Sequence, residues 1–295
     1  MLLTYEIKTY QEEFLEDQYE VGKEAIKDWL FEAQTPVKSL RETYSQPDFD
    51  PTTRFYAFKD DKMIGYVLTR VLGEIEGVMK ADLSYPRVLP GYKDAFNILY
   101  EKAIEELKKR DVKVVRAISS KQWPNTVEAF EKLGFKYIAE VYRIFNLEPS
   151  KFTIDGKLDM TGVSEFSPET DFDEVVEFFV RTRGMDDDRA QHVLDIIVNV
   201  YPEEFFAHIL LRRNNQIVSR AVCTRMSDDT GNFYFFGDED YFDKPIITKM
   251  VEVLKEKGIE NVNAFLTKDT LTQEGNHLKL GFINHGEVSR YEKEI

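Results

Sequence analysis

The chain of 295 residues has a single cysteine, Cys223, so no disulfide can form within it. It has no apolar run near the roughly 18–20 residues that cross a bilayer, so no membrane partner is expected. The opening Met1-Leu2-Leu3-Thr4-Tyr5-Glu6 meets acid too soon for a secretory leader. With the lone cysteine, this points to the cytoplasm. Histidine is scarce: His192, His208, His277 and His285 show no close metal-ligand spacing, so no metal is expected. Neither a Gly-x-Ser-x-Gly elbow nor a Walker loop occurs. Positive charge is also in deficit, and the net charge is −15. Such a chain repels phosphate backbones, which excludes nucleic acid as a general partner. The same field attracts a cationic amine, and equally serves solubility.

Apolar residues make up 42% of the chain and aromatics 13%, enough to fill a core. The length fits two domains at roughly 100–200 residues each. A long-period repeat supports that number. Asp111–Ile118 is followed by Lys132-Leu133-Gly134-Phe135 and Glu140-Val141-Tyr142-Arg143. A shift of about 147 positions lands on Gly258–Phe265, Lys279-Leu280-Gly281-Phe282 and Glu287-Val288-Ser289-Arg290. Each copy is preceded by an amphipathic helix. Phe96, Leu99, Tyr100, Ala103 and Leu107 form one apolar stripe, and Ile247, Met250, Val251 and Leu254 the other. Further upstream each half carries a hairpin, turning at Lys59-Asp60-Asp61-Lys62 and at Arg212-Arg213-Asn214-Asn215. There the offset is about 154, so the second half is longer before this point or shorter after it.

Each half therefore reads as strand, one or two helices, hairpin, strand, long helix, strand, short helix, strand. Helices are expected around Gln11–Phe31, Val37–Tyr44, Asp171–Arg183 and Asp188–Tyr201. Met185-Asp186-Asp187-Asp188-Arg189 suits a helix cap. The join falls in the Pro/Ser/Gly/Asp stretch Glu148–Lys157, giving domains 1–153 and 154–295. The fold class is α/β, with a mixed sheet in each of two tandem domains. Cys223, in an apolar alternating run, reads as an inert packed thiol.

Asn125-Thr126-Val127-Glu128-Ala129-Phe130-Glu131-Lys132-Leu133-Gly134-Phe135 resembles a segment of the GNAT superfamily, the acyl-CoA-dependent N-acyltransferases. The preceding hairpin, long helix and strand stand in the order that family uses. The resemblance implies that acetyl-CoA binds with its pyrophosphate at the start of the long helix. Backbone N–H groups and the helix dipole suit an anion there. Carried onto this sequence, that loop is Gly91-Tyr92-Lys93-Asp94, with Arg87 and Lys93 supplying positive charge and Asn125 near the pantetheine arm. The family's glycine pattern is missing, and Pro86–Gly91 also reads as an ordinary turn. In the second half the loop becomes Gly237-Asp238-Glu239-Asp240-Tyr241-Phe242-Asp243, whose four carboxylates oppose a pyrophosphate. The first half is the likelier cofactor copy.

The family's proton-donating tyrosine is Phe130 in the first half and His277 in the second. His277 reads as a general acid or as a structural residue. Tyr137 and Tyr142 are nearby in sequence. Asp82 shares a strand face with Lys80 and Ser84, and reads as a base or substrate ligand, or as part of a solvent-facing stripe. Trp29 and Trp123 read as packing residues, Trp123 also as lining the acyl path. The resemblance implies an acetyl-CoA-dependent N-acetyltransferase acting on a small-molecule or peptide amine. The alternative is a non-catalytic GNAT-like scaffold that has lost acyl-CoA binding. The acidity weighs against a charged tRNA as donor.

Overall fold

The computed structural model describes residues 5–153, 157–200, 202–237, 239–242 and 244–295. It divides into two compact units, Met1–Val141 with Gly286–Ile295, and Tyr142–His285. The expected division at 153/154 meets a residue outside the described ones, and the units do not follow it. Residues 142–153 go with the second unit, and 286–295 go with the first.

Along the first half run β1 (Glu6–Thr9), α1 (Leu15–Ala25), α2 (Val37–Tyr44), β2 (Arg54–Lys59), β3 (Lys62–Ile75), β4 (Val78–Leu83), β5 (Arg87–Val88), α3 (Lys93–Lys109), β6 (Val114–Ser120), α4 (Thr126–Lys132) and β7 (Lys136–Leu147). The second half repeats the order: β8 (Val163–Glu165), α5 (Pro168–Arg183), α6 (Asp187–Asp195), β9 (Phe205–Arg213), β10 (Gln216–Arg225), β11 (Thr230–Gly237), α7 (Lys244–Glu256), β12 (Asn261–Thr267), α8 (Glu274–Lys279) and β13 (Ile283–Glu294).

The first unit's sheet has the order β1-β2-β3-β4-β6-β13. Among the described residues β4 and β6 pair in parallel. The second unit's order is β7-β12-β11-β10-β9-β8, with β11 and β12 parallel. Each unit's sheet thus takes in a segment from the opposite half of the chain: Val288–Glu294 pairs with β6, and Tyr142–Leu147 pairs with β12. That exchange is why the first unit is discontinuous in sequence.

Local chemistry explains the repeated motifs. Asp60 and Asp61 have φ of 49° and 61°, Asn214 and Asn215 of 51° and 60°. Both hairpins therefore turn through two left-handed residues, which Asp and Asn tolerate and which match strand twist. Lys-Leu-Gly-Phe closes α4 and α8 in the same way. Gly134 and Gly281 both sit at φ 88°. The Phe135 N–H donates to the Phe130 carbonyl at 2.9 Å, and the Phe282 N–H to the His277 carbonyl at 3.0 Å. This is a six-to-one cap that needs glycine and brings an apolar pair together. Phe130 and His277 are the inner members of those pairs, packed on Phe135 and Phe282 at 5.0 and 4.9 Å. The falling offset between the halves has two sources of equal size: β3 has 14 residues against 10 in β10, and α3 has 17 against 13 in α7, about one helical turn.

In the first unit α3 lays Ala95, Leu99, Ala103 and Leu107 on one sheet face, against Ile64, Val67, Ala81, Leu83, Val115 and Ala117. The opposite face is covered over β2 and β3 by Phe14 and Val21, which meet Tyr56, Phe58, Met63 and Tyr66. Further along that face, toward β6, Ile118 is 47% exposed. In the second unit α7 covers one face, and α5 with α6 packs on the other. The helix expected over Gln11–Phe31 stops at Ala25; Phe31 adopts φ 62° and Trp29 turns onto Trp123. The second of the paired helices in the latter half leaves α geometry at Asp195 and continues as a π-helical turn over Ile196–Val200. Asp186 caps α6 as expected, accepting from the Arg189 N–H at 2.8 Å. Among the described residues no helix is long and apolar enough to cross a membrane.

Candidate active site

Parallel pairing of β4 with β6 lasts only from Lys80/Val114 to Asp82/Arg116. Beyond it β6 runs on to Ser120, whereas the chain after Leu83 turns back to β3. The Ser84 N–H bonds the Leu68 carbonyl, and β5 pairs with Gly65 and Tyr66. The two parallel strands therefore diverge. A cleft of about 480 Å³ opens there, lined by Trp29, Tyr85, Arg87, Lys93, Phe96 and Asn125 among others.

The cleft reaches the start of α3. Tyr92 occupies the N-cap position, and its side chain makes no capping bond. The first-turn N–H groups of such a helix lack intrahelical acceptors and carry positive dipole charge. Gly91 has φ 94° and faces open space, so a left-handed turn leaves the approach clear. Lys93 is exposed at the rim. Asp94 accepts from the Tyr5 hydroxyl at 2.7 Å, which turns its carboxylate to a structural partner. Asn125 starts α4 at φ 65°, with no capping bond from its side chain, and lines the cleft.

Arg87 differs from the sequence expectation of a free cation. Its guanidinium donates to Gln34 and to the Tyr66 hydroxyl, lies 3.5 Å from Glu32 and sits over the Trp29 ring. Burial pushes the Glu32 carboxyl up, against the opposing pull of Arg87. Arg87 is thus the hub of a buried network that pins the segment after α1; Lys93 lines the cleft as well, and so do Lys27, paired with Glu24 at 2.7 Å, and Asp28.

Asp82 lies beyond the cleft, on the open sheet face, in a separate hollow of about 300 Å³. One of its oxygens accepts from Arg116 Nε at 2.9 Å. Of the residues expected from the sequence, Arg87, Lys93 and Asn125 line the cleft; Gly91, Tyr92 and Asp94 form the adjoining entry to α3 and are not in its lining, and Asp82 lines the separate hollow.

His277 is placed elsewhere, and its reading as an acid is corrected. It is 1% exposed, enclosed by Phe145, Phe233, Phe242 and Phe282. Its Nδ1 lies 2.9 Å from the Gln273 carbonyl. Burial pushes its pKa down to about 4, so the ring is neutral at pH 7 and out of reach of substrate. In this unit the gap between the parallel strands is filled by rings: Phe242 stacks on Phe235 at 4.4 Å. Asp238 and Asp243 of its acidic loop lie outside the described residues. Cys223 is fully buried, and burial pushes its thiol up to about 12, as suits an inert side chain. Among the described residues no cluster of acids, histidines and cysteine is placed to hold a metal ion.

Tyr85 escaped the sequence reading. It projects into the cleft with its ring 5.7 Å from Phe130 and 5.0 Å from Phe96. A phenol therefore stands beside the position where the resemblance led to Phe130. Only its place at the end of a central strand marked it. Tyr137 is exposed against Tyr291, and Tyr142 packs on Phe265; neither lines the cleft. Trp123 stacks on Trp29 as packing, and Trp29 is the one that lines the cavity.

No protein-family model and no curated protein sequence matches the chain. Solved structures do. A tandem GNAT protein from the clavulanic acid biosynthesis pathway superposes with a TM-score of 0.66 at 13% identity, over 99% of this chain and 98% of that one. An acetyltransferase of the GNAT family from Colwellia psychrerythraea gives 0.64 at 12% identity, over 97% and 99%. A GCN5-related N-acetyltransferase from Sphaerobacter thermophilus gives 0.62 at 10% identity, over 98% and 95%.

Proposed function

From this tandem GNAT fold, which the chain shares over nearly its whole length, we propose that it is a cytoplasmic acyl-CoA-dependent N-acyltransferase. Acetyl-CoA is the proposed donor, and a small-molecule or peptide amine the acceptor. The observation that carries the proposal is the cleft lined by Tyr85, Arg87 and Asn125, which reaches the start of a long helix at Lys93. The second unit, its gap filled by Phe235, Phe242 and His277, is the copy without a donor site.

When bound, acyl-CoA supplies a thioester-activated acyl group. The chain's own residues have five tasks. The first-turn N–H groups of α3 and the Lys93 ammonium hold phosphate charge, with Gly91 leaving room. Tyr92 and Asp94 fix the turn that presents them. Asn125 offers its amide to a neutral polar arm. Asp82 accepts the proton that an attacking ammonium must lose. Tyr85 holds a proton for the departing sulfur: burial and the nearby Glu128 carboxylate push its phenol up, so it stays an O–H donor at neutral pH.

One observation favours the rival scaffold reading, namely that Arg87 is already committed to Glu32, Gln34 and Tyr66. Calorimetric titration with acetyl-CoA, with CoA as control, separates the two. Saturable binding at one site per chain, weakened by Lys93→Glu at the cleft rim, supports the transferase. No binding at millimolar ligand overturns it.

A further inference from the structure

The hollow around Asp82 has a charge opposite to that of the chain. Its lining includes four guanidinium groups, Arg54, Arg70, Arg116 and Arg290, and one carboxylate, Asp82. They come from four strands through sheet register. Arg70 stands opposite Asp82, and Asp82 opposite Arg116, so these three form one row across β3, β4 and β6. Arg290 stands opposite Ile118 in the next row. Asp82 answers only Arg116. Glu292, opposite Arg116 on β13, is turned to Lys80 at 3.5 Å. Arg54 donates to Thr53 and the Thr69 carbonyl, lies over the Tyr44 and Phe49 rings, and keeps a buried Nε with no acceptor. Arg70 and Arg290 make no hydrogen bond or ion pair among the described residues.

Like charges converging on one hollow repel each other, and the buried Arg54 Nε and the half-buried Arg290 guanidinium lack acceptors, which costs free energy, while Arg70 stands exposed at the edge. A chain with net charge −15 has carboxylates to spare, yet places one here. The arrangement is the one that an anionic ligand completes. Guanidinium favours planar, bidentate acceptors, which means a carboxylate in particular. Leu68, Leu83, Ala117 and Ile118 give the same hollow an apolar wall.

Successive residues lie on opposite sides of a strand. Ser84 lines this hollow and the next residue, Tyr85, lines the cleft, so the two cavities flank the chain just after β4. We infer that the acceptor is an amine that also carries a carboxylate, as in an amino acid or a peptide C-terminus with an apolar side chain. Arg70 and Arg290 grip that carboxylate. This rests on the transferase reading above for the word acceptor, but the carboxylate site stands on its own geometry.

The test uses matched probes with the full chain: L-leucine against L-leucinamide, and glycyl-L-leucine against glycyl-L-leucinamide. Thiol release from acetyl-CoA is followed for each, and binding of each probe is measured by calorimetry without acyl-CoA. The expected result is at least about a tenfold preference in kcat/KM for the carboxylate member of a pair, from one charge-assisted contact. Arg290→Gln and Arg70→Gln should bring that ratio toward one, while unchanged acetyl-CoA affinity reports an intact fold. Equal or better turnover of the amides overturns the inference and leaves the transferase standing. Carboxylate binding that depends on Arg290 without any acetyl transfer overturns the transferase and leaves the site standing. Absence of both carboxylate binding and carboxylate preference overturns the inference. O-phosphoethanolamine against ethanolamine identifies the anion: a preference confined to the phosphate pair also overturns it.

Discussion

The Trp29 indole lies on the Trp123 indole, 5.0 Å apart and 10° from parallel. Trp123 Nε1 also donates to the Leu30 carbonyl at 3.3 Å, and the Leu30 N–H returns toward the Gln122 carbonyl. One stack thus fastens the segment after α1 to the end of β6, and gives the cleft a wall. Trp29→Ala should destabilise the first unit by about 2 kcal/mol, from lost burial and lost stacking. A double-mutant cycle with Trp123→Ala should return a coupling of about 0.5–1.5 kcal/mol in urea unfolding. Additive effects would show that the stack holds nothing.

The cations Lys93 and Arg87 should behave differently. Lys93→Glu changes an exposed side chain at the rim, so stability should hold while acetyl-CoA affinity falls about tenfold or more. Arg87→Gln leaves Glu32 and Gln34 without their partner, so it should cost about 2 kcal/mol of stability before affinity is considered. Calorimetry and thermal unfolding on the two variants, side by side, check this. Equal loss of affinity without loss of stability would return Arg87 to the role of phosphate ligand.

Tyr85→Phe keeps the ring contacts with Phe96 and Phe130 and removes only the hydroxyl. If the phenol serves the departing sulfur, kcat should fall about 100-fold, with KM for acetyl-CoA much less affected. A variant with wild-type kcat would leave Tyr85 as packing alone.

His277 makes stability depend on pH, and the sign follows from its direction of shift. The folded value is about 4, below the ordinary histidine value of 6.5. Below pH 6.5 the unfolded chain takes up a proton that the folded chain refuses until about pH 4. Stability is therefore full above pH 6.5 and is lost as pH falls toward 4, by about 3 kcal/mol for this group. His208, whose value burial also lowers, adds to the same limb. His277→Phe fits the surrounding rings and should remove the His277 share in urea unfolding between pH 7 and 4. An unchanged acid limb would mean that the ring is not buried neutral.

The order of elements and the tandem repeat were legible because they rest on local rules. Two left-handed Asp or Asn residues mark a hairpin, Lys-Leu-Gly-Phe encodes a helix cap, and apolar stripes mark α3 and α7. Arg87 was legible as a cation but not as a committed one, because Glu32, Gln34 and Tyr66 reach it only through the fold. His277 misled for the same reason: the cap that repeats Phe130 also buries it. The arginine hollow was invisible, because Arg54, Arg70, Arg116 and Arg290 are spread over more than two hundred positions and meet only by register. The strand exchange was invisible too, since two repeats with the same order of elements give no local reason to prefer one pairing over another.

That exchange makes the last ten residues part of the first unit. Val288 is fully buried and Tyr291 is 6% exposed against Ala117 and its neighbours. Removing Gly286–Ile295 uncovers the edge of β6 and forfeits their burial, on the order of 4 kcal/mol from these two side chains alone. The loss should fall on the N-terminal half of the chain, far away in sequence. Hydrogen exchange should show weaker protection of the β6 amides in the truncated chain, with β10 and β11 much less affected. Tyr291→Ala, a milder change, should give the same pattern at smaller amplitude. Loss of protection confined to the second unit in both variants would mean that the C-terminal strand belongs to its own half after all.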